Sequence, residues 1–325
     1  MSSTASLTTK FYEIGPVQRL ERWLNAMPHP PLVAEIASTY VSAARWGKKG
    51  ALETFAVEPL PVGSVMASPV ETNVTQPEAV GAALRKVFSR VPSREQGLAL
   101  LIPDPVVRVF ILPFENLPRR SDEALPLLRW RLKKSVPFDM DETVVSWMRQ
   151  SGRDGNLEIV TAVARQRIVR EYEQIVEGLG GSAAVVLSST LCTLPLLEER
   201  GATLLARMCG KTLTTVIVHA GNLCVYRSTE LSSEAGALEP QAMLDEIFPA
   251  VAYYQDTWHA SIDRARLSGF GARQDTFRKA LAEELKCSAG SLAESEGALK
   301  LDSGGKDLLH QNLDSLAGWM MNADT

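Results

Sequence analysis

Residues Gly178 to Leu197, GLGGSAAVVLSSTLCTLPLL, hold no charged side chain over about the length that crosses a bilayer. A spanning helix and a buried interior segment would give unrelated proteins. Three glycines, one proline and five Ser/Thr in those residues weigh against a membrane helix. The stretch divides instead into a buried strand, Ser182 to Leu187, and a short helix behind Ser/Thr capping residues. The chain is therefore read as a water-facing globular protein. Its 325 residues suit about two domains, each with its own core.

Composition removes several function classes. A net charge of −4 and 22% charged residues lack the basic excess of a nucleic-acid binder. The four cysteines, Cys192, Cys209, Cys224 and Cys287, show no CxxC spacing, and with four scattered histidines there is no metal signature. They read as free thiols in a reducing compartment. The first residues, MSSTASLTTKFYEIG, contain no apolar core of a secretory signal. No GxSxG, HExxH or GxxxxGK[ST] occurs, so the motif-readable enzyme classes have no support and no catalytic residue is assigned.

The order of periodic segments gives the organisation. Residues 16–27 place Val17, Leu20, Trp23, Leu24 and Met27 on one face of an amphipathic helix, followed by PHPP. Extended segments follow from Pro31, with a glycine turn at GKKG, and then a helix at about Pro77 to Ser89. Residues 106–179 read as βαββα. The helix in it has Ser121 as the expected N-cap, Asp122 and Glu123 in the first turn, and Leu125, Leu128 and Leu132 as its buried stripe; Pro137 is its expected end. A further helix stops at Gly178. Beyond it lie the buried strand at Ser182, three further strands in ATLLARMC, LTTVIVHAG and LCVYRS, a helix at Pro240 to His259, a strand RARLSG, and helices near RQDTFRKALAEEL and NLDSLAGWMM. No internal repeat is visible.

The words LPRRSDEALPLLRWRLKKSVPFDMDETVVSW, with their central Arg-Trp, Pro-Phe and Asp-Glu before a hydrophobic strand, resemble the PilM family of type IV pilus assembly proteins, which is FtsA-related and actin-like. LVAEIASTYVSAARW, VTAVARQRIVREYEQIVEGLG, LSGFGA and DSLAGWMM extend the resemblance, in order, over about Pro31 to Met321. It implies an α/β, actin-like (ribonuclease H-like) two-lobed fold with an inserted FtsA-type 1C subdomain and a shortened 2B. The corresponding divisions are 1–30 for the N-terminal helix and linker, 31–105 and 180–200 for subdomain 1A, 106–179 for 1C, and 201–325 for 2A with a reduced 2B. It further implies a cytoplasmic protein held at the inner membrane through a partner, the N-terminal peptide of a bitopic PilN-like protein. Pilus or secretion platform and motor components, and self-association, are the other expected partners. The residues expected to face the peptide are Arg129, Arg131, Pro137, Phe138, Asp141 and Glu142.

The resemblance also locates a nucleotide cleft, whose glycine hairpins and carboxylates would hold phosphates and Mg²⁺. Here the first hairpin reads Glu35, Ile36, Ala37, Ser38, Thr39, with Ala37 for a glycine and Ser42 for a lysine. The second has Arg207 where the family has an aspartate, before Gly210; this removes a negative charge and adds a repulsive positive one. In the third, Gly269 and Gly271 flank Phe270, which stands for a glycine beside the adenosine. The expectation is a pseudo-ATPase scaffold with no cofactor and no metal. The alternative is an actin-like switch or slow ATPase that binds ATP and Mg²⁺ and polymerises.

Overall fold

A computed structural model describes residues 29–321 apart from 48, 49, 94, 96, 153 and 154. The amphipathic segment 16–27 lies outside the described residues. Three antiparallel strands come first: β1 Leu32–Ile36, β2 Tyr40–Trp46 and β3 Leu52–Pro59. Helix α1 (Pro77–Arg90) returns the chain to β4 (Gly97–Ile102), which pairs parallel with β1. Strand β4 carries apolar side chains to both faces and is buried from Leu98 to Ile102, as expected of a strand covered on two sides.

The chain then leaves this sheet. Strand β5 (Arg108–Phe114), helix α2 (Ser121–Leu132) and strands β6 (Thr143–Ser151) and β7 (Leu157–Arg165) build a second, three-stranded sheet in the order β5-β7-β6. Helix α2 lies on it through Ala124, Leu128 and Leu132, each fully buried. This corrects the expected stripe: Leu125 is half-buried and Ala124 takes its place. The N-cap is Arg120 with no side-chain cap, Ser121 being already helical, and the helix ends at Leu132, five residues before Pro137. Pro126 sits inside the helix, where it forfeits one backbone hydrogen bond.

Helix α3 (Gln166–Glu177) buries Ile168, Tyr172 and Val176 in the core under the first sheet, together with Leu84 and Val87 of α1. Gly178 caps it in the right-handed region, and the left-handed turn falls at Gly180, φ +84°. The charge-free stretch resolves into β8 (Ser182–Ser188), the outer strand beside β4, and a short helix α4 (Ser189–Thr193). Among the described residues no helix is long and apolar enough to cross a membrane.

The second lobe repeats the plan of the first. Strands β9 (Ala202–Cys209), β10 (Thr212–His219) and β11 (Asn222–Glu230) are antiparallel. Helix α5 (Pro240–Trp258) leads to β12 (Arg264–Ser268), and α6 (Gln274–Leu285) to β13 (Ser288–Ser291), both strands parallel to β9. The sheet orders β3-β2-β1-β4-β8 and β11-β10-β9-β12-β13 thus match element for element, a repeat of topology that the residues themselves do not display. The connector 231–239 between β11 and α5 carries no helix or strand. Short helices α7 (Glu296–Leu299) and α8 (Ser303–His310) precede α9 (Asp314–Met321).

One core joins the lobes. Val33, Ala99 and Leu101 of the first sheet, Leu205 and Val216 of the second, and Trp319 of α9 belong to it, all but closed to solvent. Gly318 lets α9 press on α4: a Cβ there would stand 1.9 Å from the Cys192 carbonyl oxygen.

Candidate functional site

Both lobes send a hairpin turn toward the cleft between them. In the first, Ala37 to Thr39 link β1 and β2; in the second, Gly210 and Lys211 link β9 and β10, with Gly210 at φ +59°. The two turns touch, since a Cβ on Gly210 would lie 3.4 Å from the Thr39 methyl. Below them Ala37, Ser38, Asp104, Arg207 and Cys209 surround a cavity of about 10 Å³. That is the room of a single water.

Arg207 fills the place between the lobes. It leaves β9 at a position paired with Ser268 of β12, is 2% exposed, and meets carboxylates from three directions. Its Nε donates to Asp314 Oδ2 at 2.7 Å, Nη2 stands 3.5 Å from Glu35 Oε1, and Nη1 stands 3.7 Å from Asp104 Oδ2. Glu35 comes from β1, Asp104 from the turn after β4, and Asp314 opens α9; all three are at most 3% exposed. Three acids distant in the chain thus converge on the positive charge that stands where the resemblance expects an aspartate.

Hydroxyls satisfy what the guanidinium does not reach. Asp104 Oδ1 accepts from the Thr190 amide at 2.9 Å, the Tyr226 phenol at 3.0 Å and Ser188 Oγ, and Oδ2 from Thr214 Oγ1 at 2.8 Å and Thr190 Oγ1. Glu35 Oε2 accepts from Tyr40 at 3.0 Å and Ser315 at 2.7 Å. Asp104 of the first lobe is so held by Thr214 and Tyr226 of the second. Burial alone would push the Arg207 guanidinium down, but Asp314, Glu35 and Asp104 outweigh it and hold its pKa well above the ordinary value. Burial raises the phenols of Tyr40 and Tyr226 and pushes the Cys209 thiol up to about 12, so all three stay neutral.

The residues present do not fit Mg-ATP. A divalent cation among these carboxylates would stand against a fixed guanidinium, at about 4 kcal/mol per unit charge for a 4 Å separation near an effective dielectric of 20. The cavity has no volume for a triphosphate. The third turn answers to packing: Gly269, φ +82°, would put a Cβ 1.9 Å from the Met208 carbonyl oxygen. Phe270, expected beside an adenosine, is instead core, 1% exposed with its ring 4.7 Å from that of Phe277. Gly271, φ +54°, has open space around it.

Two larger depressions flank the three-stranded sheet. One, about 240 Å³, lies between that sheet and the first lobe, lined by Val144 and Ser146 of β6, Ala162 and Ala164 of β7, and Val186 and Leu187 of β8, among others. Val144 pairs across the strands with Ala164, and Ser146 with Ala162, so small side chains sit opposite one another and leave depth. Val144 is 42% exposed there. β6 pairs only with β7 and β8 only with β4, so each borders the groove with a free strand edge among the described residues. The other, about 530 Å³, opens at β5 between Pro69, Pro105, Arg108, Pro137 and Tyr226.

The residues expected to face a peptide divide. Arg129 stitches α2 to the start of β6, donating to the carbonyls of Met140 and Thr143, and stands 3.9 Å from Asp141. Glu142 pairs with Arg165 at 2.7 Å. Phe138 packs on the small core of Leu132, Val136 and Met140, Pro137 lines the larger depression, and Arg131 is exposed on α2. None of the six lines the apolar groove, which begins two residues further on at Val144. Asp104, Asp314 and the groove residues were not singled out from sequence; the one available signal was a lone acid inside an apolar word, IPDPV for the first and NLDSLAG for the second.

The architecture is the actin-like fold: two matching α/β lobes about a cleft, with a small sheet inserted in the first. The same fold is seen in the PilM–PilN type IV pilus biogenesis complex, at 18% identity and a TM-score of 0.72, covering 92% of this chain and all of that one. A Bacteroides thetaiotaomicron protein of actin-like ATPase fold and unknown function (12% identity, 90% and 98% covered) and the cytoplasmic domain of EpsL, an inner-membrane component of the Vibrio cholerae type II secretion system (11%, 73% and 80%), each align at a TM-score of 0.47. No protein-family model and no curated protein matches the chain.

Proposed function

We propose that this chain is a non-catalytic cytoplasmic scaffold of a type IV pilus or related inner-membrane assembly platform, held at the membrane by the N-terminal peptide of a bitopic PilN-like protein. The likeness in fold to the chain of the PilM–PilN complex, over all of that chain, supports the choice of machine. The observation that carries the reading is the contrast of two sites. The cleft that would take a nucleotide is filled by Arg207 and its three carboxylates, while an apolar groove with free strand edges stands open beside it. An extended peptide suits such a groove, adding its backbone to a strand edge and its alternate side chains to the apolar floor.

Calorimetry with the N-terminal cytoplasmic peptide of a PilN-like protein tests the reading. Heat of binding that is lost when Val186→Asp is introduced is expected. Absence of heat with the wild-type chain at micromolar concentration would sink the proposed groove. Millimolar Mg-ATP is expected to leave the melting temperature unchanged; a clear rise by mass action would favour the nucleotide switch instead.

A further inference from the structure

Helix α2 carries a patch that the fold leaves outward. Leu127, Trp130, Arg131 and Lys134 follow one another at i, i+3, i+4 and i+7, so they share one side of the helix, and all four are exposed. Trp130 is 73% exposed and Leu127 43%, while Ala124, Leu128 and Leu132 of the same helix are closed to solvent. Among the described residues the other tryptophans are held in: Trp46 and Trp319 are buried, Trp147 and Trp258 half-buried.

The charge around this indole is of one sign. Between Arg119 and Lys134 there are six basic and two acidic residues, in a chain whose net charge is −4. The two acids, Asp122 and Glu123, are taken by Arg120, at 2.7 and 3.6 Å. Arg129 is spent on the carbonyls of Met140 and Thr143. Arg119, Arg131, Lys133 and Lys134 are then left exposed, with no hydrogen bond or ion pair among the described residues. The acids beyond the helix are engaged at its joint with β6: Asp139 accepts from the Asp141 amide at 3.1 Å, Asp141 stands 3.9 Å from Arg129, and Glu142 pairs with Arg165 at 2.7 Å.

We infer that this patch touches an anionic lipid surface directly, Leu127 and Trp130 entering the headgroup region while Arg119, Arg131, Lys133 and Lys134 reach the lipid phosphates. The charge complementarity selects the occupant, and the indole fits it: an apolar body with one N–H edge suits the boundary between headgroups and acyl chains. Long basic side chains lay their stems along such a boundary and keep their charge at the phosphates. Two apolar side chains and four cations make a reversible contact and no anchor. Its effect is orientation. Helix α2 packs on the side of β7 that carries Ile159 and Val163, whereas the groove is lined by Ala162 and Ala164 of the same strand, so the two sites lie on opposite sides of the small sheet and a bilayer at α2 leaves the groove open. The inference needs neither a bound peptide nor a nucleotide and stands apart from the proposed function.

Co-sedimentation of the full chain with vesicles, in the absence of any peptide, tests it. Vesicles of phosphatidylcholine alone are compared with vesicles that also contain phosphatidylglycerol, at low and high salt. Binding to the anionic vesicles only is expected, weakened by salt, with tryptophan emission moving to the blue as Trp130 leaves water. Lys133→Gln combined with Lys134→Gln should bind roughly 25-fold more weakly, from about fivefold per charge at an anionic surface, and Trp130→Ser should lose the blue shift. All three positions are exposed, so the variants should melt with the wild type; quenching of the wild-type emission by brominated lipid reads the same contact without a substitution. No binding to anionic vesicles at low salt would overturn the inference, even for a chain that is retained by RNA or by an acidic protein. So would equal binding to the neutral vesicles, or variants that bind as tightly as the wild type, which would place any lipid contact elsewhere in the chain.

Discussion

The cleft between the lobes and the groove beside the inserted sheet lie on either side of Ser188, which donates to Asp104 in the one and lines the other. They are opposite in character. In the cleft, charge is concentrated, buried and answered from within the chain: one guanidinium, three carboxylates and six hydroxyl donors leave about 10 Å³. In the groove, alanine, serine and valine leave about 240 Å³ beside unpaired strand edges. The cleft is closed by its own charges, whereas the groove stays open.

The comparison breaks most visibly at Arg207. Arg207→Ala leaves Glu35, Asp104 and Asp314 facing one another out of water, and a loss of roughly 3–5 kcal/mol is expected in denaturant unfolding. Arg207→Lys keeps the charge without the planar fork and should fall between that and the wild type. A loss for the alanine variant below about 1 kcal/mol would mean that the cluster does not hold the lobes. Gly269→Ala comes next. It combines a left-handed backbone with a Cβ inside contact distance of the Met208 carbonyl, and should cost about 1–3 kcal/mol. Gly271→Ala, with open space around it, should cost less; equal losses would remove the packing explanation of the third turn.

The inserted unit was the most legible part of the sequence. Its hydrophobic periods gave one strand, a hairpin and two helices, because each is a local pattern with its own punctuation. The errors there were of one residue or one turn: Ser121 is the kind of residue that caps a helix, yet the helix has already begun at it, and Ala124 is buried where Leu125 was expected. The cleft was legible only as a set of departures. Arg207 could be seen to replace an acid, but nothing local shows that Asp104 and Asp314, separated from it by 103 and 107 residues in the chain, would answer it. Phe270 was read by its place in a turn, whereas its ring goes to Phe277 in the core. Long-range pairing of buried charge has no period, and so it has no signature along the chain.

Smaller effects sharpen the other side of the comparison. Val144→Asp puts a carboxylate on a groove wall that is already 42% exposed, so the melting temperature should stay within a few degrees while peptide affinity falls about tenfold, near 1.4 kcal/mol. An unchanged affinity would move the peptide to the depression at β5. The smallest effect concerns the anchoring of α9, which carries Asp314. His29 stacks on Trp319 with ring centroids 4.0 Å apart, and burial lowers its pKa below the usual value near 6.5. The unfolded chain therefore takes up that proton first, so this contribution is present above about pH 6.5 and is lost as the pH falls through the lowered value in the folded chain. His29→Gln should flatten that dependence slightly; a steeper dependence in the variant would show that His29 is not its source.

Amide hydrogen exchange of the full chain, followed in the presence of the PilN-like peptide and separately of Mg-ATP, tests the contrast of the two sites most directly. The expected result is added protection at 144–146, 162–164 and 186–191 with the peptide, and no change at 35–39 or 207–212 with Mg-ATP. Protection of 35–39 and 207–212 by Mg-ATP, with the groove unaffected by the peptide, would contradict it.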